Sequence, residues 1–115
     1  MNTMLMGKYI YAVVDAASEQ SYGPIGLNDG TVYTLSHGSV AAVVSDLKDK
    51  RIRPERKNLA AHNAVVKRLM EDNTILPAAF GTLAGSAKAV QDILKKNYDT
   101  LVEELERVRG KVEMG

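Results

Sequence analysis

The sequence predicts an α+β domain, a variant of the ferredoxin-like two-layer sandwich, with a mostly antiparallel sheet and two helices on one face. Three observations carry that prediction. Residues 8–15 form a β-branched and aromatic run of strand length. Residues 31–45 hold two further strand-like runs around a short turn, Ser36-His37-Gly38, the pattern of a β-hairpin. Two later segments, 55–72 and 86–109, repeat apolar residues at three- and four-residue steps, as amphipathic helices do. Packing both helices on one face of the sheet is the economical arrangement.

Taken in order, Lys8-Tyr9-Ile10-Tyr11-Ala12-Val13-Val14-Asp15 is the first strand. Residues 16–30 turn polar and small, with Gly23-Pro24, Gly26 and Asn28-Asp29-Gly30, and read as turns around a short extended piece at 25–27. The hairpin pairs Thr31–Leu35 with Ser39–Ser45. A charged connection, 46–57, leads to Pro54 and Glu55, residues suited to the first turn of a helix. That helix is expected to run to Asp72 and to bury Leu59, Val66, Leu69 and Met70, with His62 and Asn63 on the same stripe. Ile75–Phe80 is strand-like, and Pro77 cannot donate to a ladder, which places it at a sheet edge, a bulge or a strand end. One long helix then begins at Gly85-Ser86, with Ala87, Val90, Leu94, Leu101, Leu105 and Val108 as its stripe and Gly110 as its stop. Lys111–Gly115 starts another alternating strand.

With 115 residues and 45% hydrophobic content, the chain fits one ordinary globular domain with a core of its own. Fifteen Lys and Arg against fourteen Asp and Glu leave no large field for gripping nucleic acid or an anionic membrane. The absence of Cys removes disulfides, thiolate metal sites and a thiol nucleophile, and fits a cytoplasmic protein. No apolar run approaches the length of a membrane helix, and no secretory signal is expected from the N-terminus.

His62 is the best chemical candidate, as a base or as a ligand between helix and sheet. Without a Cys, a well-placed second His or a nucleophile-elbow Ser, the structural reading, a buried His satisfied by a backbone carbonyl or by Asn63, is the simpler one. Gly81–Ser86 before a helix could cradle an anion, but a loop with a serine cap explains the same residues. Together His62 and Gly81–Ser86 define an alternative function, a small-molecule-binding or catalytic domain. The basic run around Arg51 and Arg53 is diluted by Asp46, Asp49 and Glu55 and has no interleaved aromatics, so it reads as a solvated segment or a docking site for an acidic partner. No metal-ligand spacing and no cofactor motif are present.

Both faces of the strands at 8–15 and 39–45 are apolar. If two helices cover one face, the other needs a cover: the 16–30 segment, a missing domain, a second copy or a partner. Tyr9 and Tyr11, with neighbours on the hairpin, are therefore candidate interface residues, although one bulge would reverse the alternation.

The order of these segments resembles the gas vesicle protein F/L family. The resemblance rests on Tyr9-Ile10-Tyr11-Ala12-Val13-Val14, on Ile25-Gly26-Leu27 and on Val40-Ala41-Ala42-Val43-Val44-Ser45. It is strongest at Asn58-Leu59-Ala60-Ala61-His62-Asn63, followed by Val66, and at Thr74-Ile75-Leu76-Pro77-Ala78-Ala79-Phe80-Gly81-Thr82, which is similar to the family's His-containing helix and "VLP-x-x-FGT" strand. Gly110–Met114 is similar to the family's link from helix to strand. The departure is Ala78-Ala79, where the family often carries a bulkier or basic residue. The resemblance implies the N-terminal domain of a longer protein whose second domain, also ferredoxin-like, is absent from residues 1–115. It implies a non-catalytic accessory protein of gas vesicle assembly, cytoplasmic and associated with vesicles, with no cofactor. Its partners would be the hydrophobic shell protein and other gas vesicle proteins, and the lone domain would be a candidate for self-association. The signature residues carried over are His62, Leu76, Pro77, Phe80, Gly81 and Thr82, as architecture or as interface.

Overall fold

In a computed structural model, residues 7–16, 19–48 and 52–112 are described, with side chains described as far as Arg109. Strand β1 (Gly7–Val14) is followed by a short β2 (Ser21–Gly23), a 3₁₀ turn (Leu27–Asp29), and the hairpin β3 (Val32–His37) and β4 (Val40–Leu47). Helix α1 (Arg56–Asp72) leads to β5 (Ile75–Pro77) and β6 (Leu83–Ala84), then α2 (Ala87–Lys96) and α3 (Tyr98–Val112). The sheet order is β2-β3-β4-β1-β5, with β6 also on β1, and every pairing is antiparallel.

The α+β class and the antiparallel sheet match the sequence prediction; the placement of the helices does not. Val65 and Leu69 of α1 pack with Tyr9, Tyr11, Val14, Val32 and Val43 on one face. Val90 and Leu94 of α2 and Leu105 of α3 pack with Ile10, Val40, Ala42 and Val44 on the other. The molecule therefore has three layers, and the ferredoxin-like arrangement with both helices on one face is not supported. This explains why β1 and β4 are apolar on both sides: each side has its own helical cover. Tyr9 and Tyr11 consequently do not lie on an uncovered face. Both are fully buried beneath α1, with Leu27 of the 16–30 segment in the same cluster.

A bulge in β1 decides which residues face α1. Ile10 pairs with Val44 and Ala12 with Val43, so Tyr11 is the extra residue. Beyond it the alternation reverses, and Ala12 and Val14 join Tyr9 and Tyr11 on the α1 side. Gly26 makes room for the Tyr11 ring: a Cβ there would sit 2.5 Å from the Tyr11 hydroxyl and 2.8 Å from Val32.

Four further expectations are corrected. The buried stripe of α1 is Asn58, His62, Val65 and Leu69: His62 and Leu69 lie where expected, but Leu59, Asn63 and Met70 are exposed and Val66 is only partly buried. Asn58 tolerates burial because its amide donates to the Arg53 carbonyl at 2.9 Å. The predicted long C-terminal helix breaks at Asn97, whose backbone and side-chain amides both donate to Ile93 O, closing α2. Finally, α3 passes through Gly110 to Val112, so residues 111–112 are helical and the expected strand does not begin there; residues 113–115 lie outside the described part. The extended piece expected at 25–27 is displaced to Ser21–Gly23, with Leu27 opening the 3₁₀ turn. The serine cap is where the sequence placed it: Ser86 Oγ accepts from Ala89 N at 3.1 Å.

Candidate functional site

Four of the signature residues, His62, Phe80, Gly81 and Thr82, come together where α1 crosses β1. β5 and β6 both pair with β1, and between them residues 78–82 leave the ladder as an excursion. Its two ends remain tied to β1, Ala78 N donating to Tyr11 O and Ile10 N to Thr82 O, each at 2.9 Å. Between those ties Phe80 turns inward and packs edge-on against His62 and Tyr9, with ring centroids 5.7 and 6.0 Å away. Gly81 has φ +89°, which an L side chain adopts only with strain. Thr82 closes the turn, its hydroxyl donating to Ala79 O at 2.7 Å.

The Tyr9 hydroxyl holds the cluster together. It lies 2.8 Å from His62 Nδ1 and accepts from Gly81 N at 3.1 Å. His62 Nε2 lies 3.2 Å from Ala78 O. Carbonyl oxygen only accepts, so Nε2 carries the proton and donates to Ala78 O. Nδ1 is then the acceptor for the Tyr9 O–H, whose oxygen takes the Gly81 N–H. Every polar atom in the chain of bonds has a partner when His62 is neutral. Burial pushes the His62 pKa below its ordinary value, and the Ala78 carbonyl opposes this only in part. Burial also raises the Tyr9 and Tyr11 phenols, against the hydrogen bonds they receive. Tyr11 has its own partners, Ser45 Oγ at 2.8 Å and Leu27 N at 3.0 Å.

Both ring nitrogens of His62 are thus committed, and the residue is 6% exposed. The Gly81–Ser86 segment is not an open anion cradle: Leu83 and Ala84 are strand, and the Ser86 hydroxyl already caps α2. Among the described residues no cluster of His, Asp and Glu could hold a metal ion. No helix there is long and apolar enough to cross a membrane. Sequence reasoning found His62, Phe80 and Gly81 but missed Tyr9 as the hydroxyl joining them. It also missed Asn58, whose four-residue spacing from His62 marks a polar pair on one helix face.

The remaining candidates lie apart from the cluster. Leu76 packs into the opposite core, with α2 and α3, and Pro77 is exposed on β5, the sheet edge. Arg53 is exposed beside α1, and Arg51 lies outside the described residues. A second polar cluster, at the far end of β1, joins Lys8 to Asp46 at 2.7 Å and Tyr33 to Asp46 at 2.6 Å. Burial pushes the Asp46 carboxyl up, but these two donors outweigh it and hold the pKa below the ordinary value.

The fold and the sequence have counterparts. A family model described as "Gas vesicle synthesis protein GvpL/GvpF" matches residues 7–115. Gas vesicle protein F2 of Halobacterium salinarum is 30% identical over 113 residues, covering 93% of this chain and 51% of that protein. Gas vesicle protein F of a Streptomyces species is 30% identical over 111 residues, covering 94% of this chain and 46% of that one. The crystal structure of the gas vesicle protein GvpF from Anabaena sp. PCC7120 superposes with a TM-score of 0.76 at 22% identity, over 89% of this chain and 43% of that chain. GvpF from Microcystis aeruginosa superposes with a TM-score of 0.74 at 19% identity, over 88% and 43%. At those identities the two structures speak for the fold alone. The chain spans about half the length of the curated relatives it matches. With the match running from β1 through α3, the chain belongs to the gas vesicle synthesis protein GvpL/GvpF family.

Proposed function

We propose that this chain is a non-catalytic accessory module of gas vesicle assembly, which binds the hydrophobic shell protein, other gas vesicle proteins, or both. Family membership over residues 7–115 is the observation that carries the reading. The commitment of both His62 nitrogens to structural hydrogen bonds supports its non-catalytic side, because a general base needs a lone pair facing substrate. The signature residues Phe80, Gly81 and Thr82 act as architecture, closing the 78–82 excursion over Tyr9 and His62. The site of action is the cytoplasm, at the growing vesicle, and neither nucleic acid nor a membrane is needed.

Complementation tests this reading. In a vesicle-forming host lacking the gene, the protein at its natural length restores vesicles. His62→Gln retains one donor and one acceptor on the side chain but cannot exchange a proton near neutral pH. It is expected to restore vesicles as well. Vesicles restored by the wild type and absent with a soluble, folded His62→Gln protein would favour the catalytic reading built on His62 and Gly81–Ser86. Full vesicle formation without the gene would remove the assembly role.

A further inference from the structure

The exposed flank of α1 is an apolar strip with cations beside it. Leu59, Val66 and Met70 follow one another at spacings of seven and four, which align on one side of a helix. Met70 is 62% exposed and Leu59 38%, while Val66 packs partly against the core beneath. The strip lies on the flank toward β5, since His62 on that side reaches Ala78 O, and helical spacing puts Arg68 on the opposite flank. Helical geometry places Asn63, Arg56 and Lys67 along its outer margin. Arg68 is neutralised by Glu71 and Asp72, but Arg56 and Lys67 pair with no carboxylate of the described residues.

The sheet edges argue against binding by strand addition. In β5 the bonds to β1 are made by Thr74, Leu76 and Ala78, so the groups of Ile75 and Pro77 point outward, and Pro77 has no N–H to offer. At the other edge β2 is three residues long, has a register shift against β3 and is followed by Pro24. A partner that met this domain would therefore meet side chains rather than an open ladder.

We propose that the Leu59–Val66–Met70 strip docks an amphipathic helix of a partner protein, with apolar residues against the strip and carboxylates facing Arg56 and Lys67. The opposite sign of charge selects an acidic helix over a basic one. This deepens the proposed function by giving the partner a chemistry, and it rests on that reading only for the partner being a vesicle protein.

The probe is a synthetic amphipathic peptide with a leucine stripe flanked by glutamates, titrated into isotope-labelled protein and followed by amide chemical shifts. The control peptide carries lysine for each glutamate. Shifts are expected to centre on residues 56–70 of α1, with the glutamate peptide binding at least about tenfold more tightly than the lysine one. Met70→Glu and, independently, Lys67→Glu are expected to weaken the glutamate peptide by about tenfold each while the rest of the spectrum stays unchanged. Both positions are exposed, so the fold is preserved. Equal binding of both peptides, shifts confined to β5 or β2, or no shift at about millimolar peptide would overturn the proposal. So would concentration-dependent dimerisation abolished by Met70→Glu, which would make a second copy the occupant. A vesicle defect in the Met70→Glu protein is not required here, so the peptide result and the complementation result can fail separately.

Discussion

Replacing Tyr9 with Phe removes one oxygen and leaves the ring in place, which isolates the central bond of the cluster. The lost hydroxyl served two groups, His62 Nδ1 at 2.8 Å and Gly81 N at 3.1 Å. The nitrogen is buried and has no alternative donor in the geometry, a penalty of about 1–3 kcal/mol. The Gly81 amide belongs to an exposed residue and can be rehydrated, so its loss is the ordinary net value of about 0.5–1.5 kcal/mol. The expected total is about 2–3 kcal/mol, or a fall in Tm of about 10–15 °C for a domain of this size. Urea unfolding followed by far-ultraviolet circular dichroism measures it, with an unchanged m-value showing that the native surface is intact. The pairwise part is then separated by the cycle Tyr9→Phe, His62→Leu and the double variant, with an expected coupling of about 1–2 kcal/mol. A loss for Tyr9→Phe below about 0.5 kcal/mol, or strictly additive single variants, would refute the hydrogen-bond chain as described.

Four further outcomes follow from the same geometry. His62→Ala is expected to lower stability by about 1–3 kcal/mol, through lost packing against Tyr9 and Phe80 and the orphaned Tyr9 hydroxyl and Ala78 carbonyl, measured by the same urea unfolding. Because burial lowers the His62 pKa in the folded state, the unfolded chain binds the proton first; stability is expected to fall as pH drops from the ordinary value of 6.5 toward the folded value, and His62→Gln flattens that slope in urea unfolding across pH. Gly26→Ala is expected to cost about 1–3 kcal/mol by overpacking, since its Cβ would strike the Tyr11 hydroxyl and Val32. Gly81→Ala meets no atom within 4 Å and is expected to cost only the left-handed backbone strain, about 1–2 kcal/mol, so the two thermal melts separate collision from conformation.

Most strands and the first helix were legible because local chemistry specified them. The hairpin turn at Gly38, the Ser86 cap and the edge position of Pro77 each have a local physical cause and stand where the sequence put them. What failed depended on partners distant in sequence. The Tyr11 bulge is defined only against β4; strict alternation would set Ala12 and Val14 on the face opposite Tyr9 and Tyr11, whereas all four share the α1 side. The buried stripe of α1 includes Asn58, a polar residue that a hydrophobic template does not place and whose burial depends on Arg53 O; His62 is on the expected stripe, but its Tyr9 partner is not local. The break at Asn97 was hidden because Leu94 and Leu101 keep helical spacing across it. Assigning both helical segments to one face then turned two buried tyrosines into an apparent surface. At the site, four of the six signature residues lie together and Leu76 and Pro77 do not, and the contact that joins the four, the Tyr9 hydroxyl, comes from a strand distant in sequence.

The claim that this domain acts by binding is tested most directly by co-purification. The protein at its natural length would be affinity-purified from vesicle-forming cells and its bound proteins identified by mass spectrometry, with Met70→Glu in parallel. The vesicle shell protein or another gas vesicle protein is expected to be retained by the wild type and depleted by Met70→Glu. Retention of no gas vesicle protein by a folded wild type would contradict it.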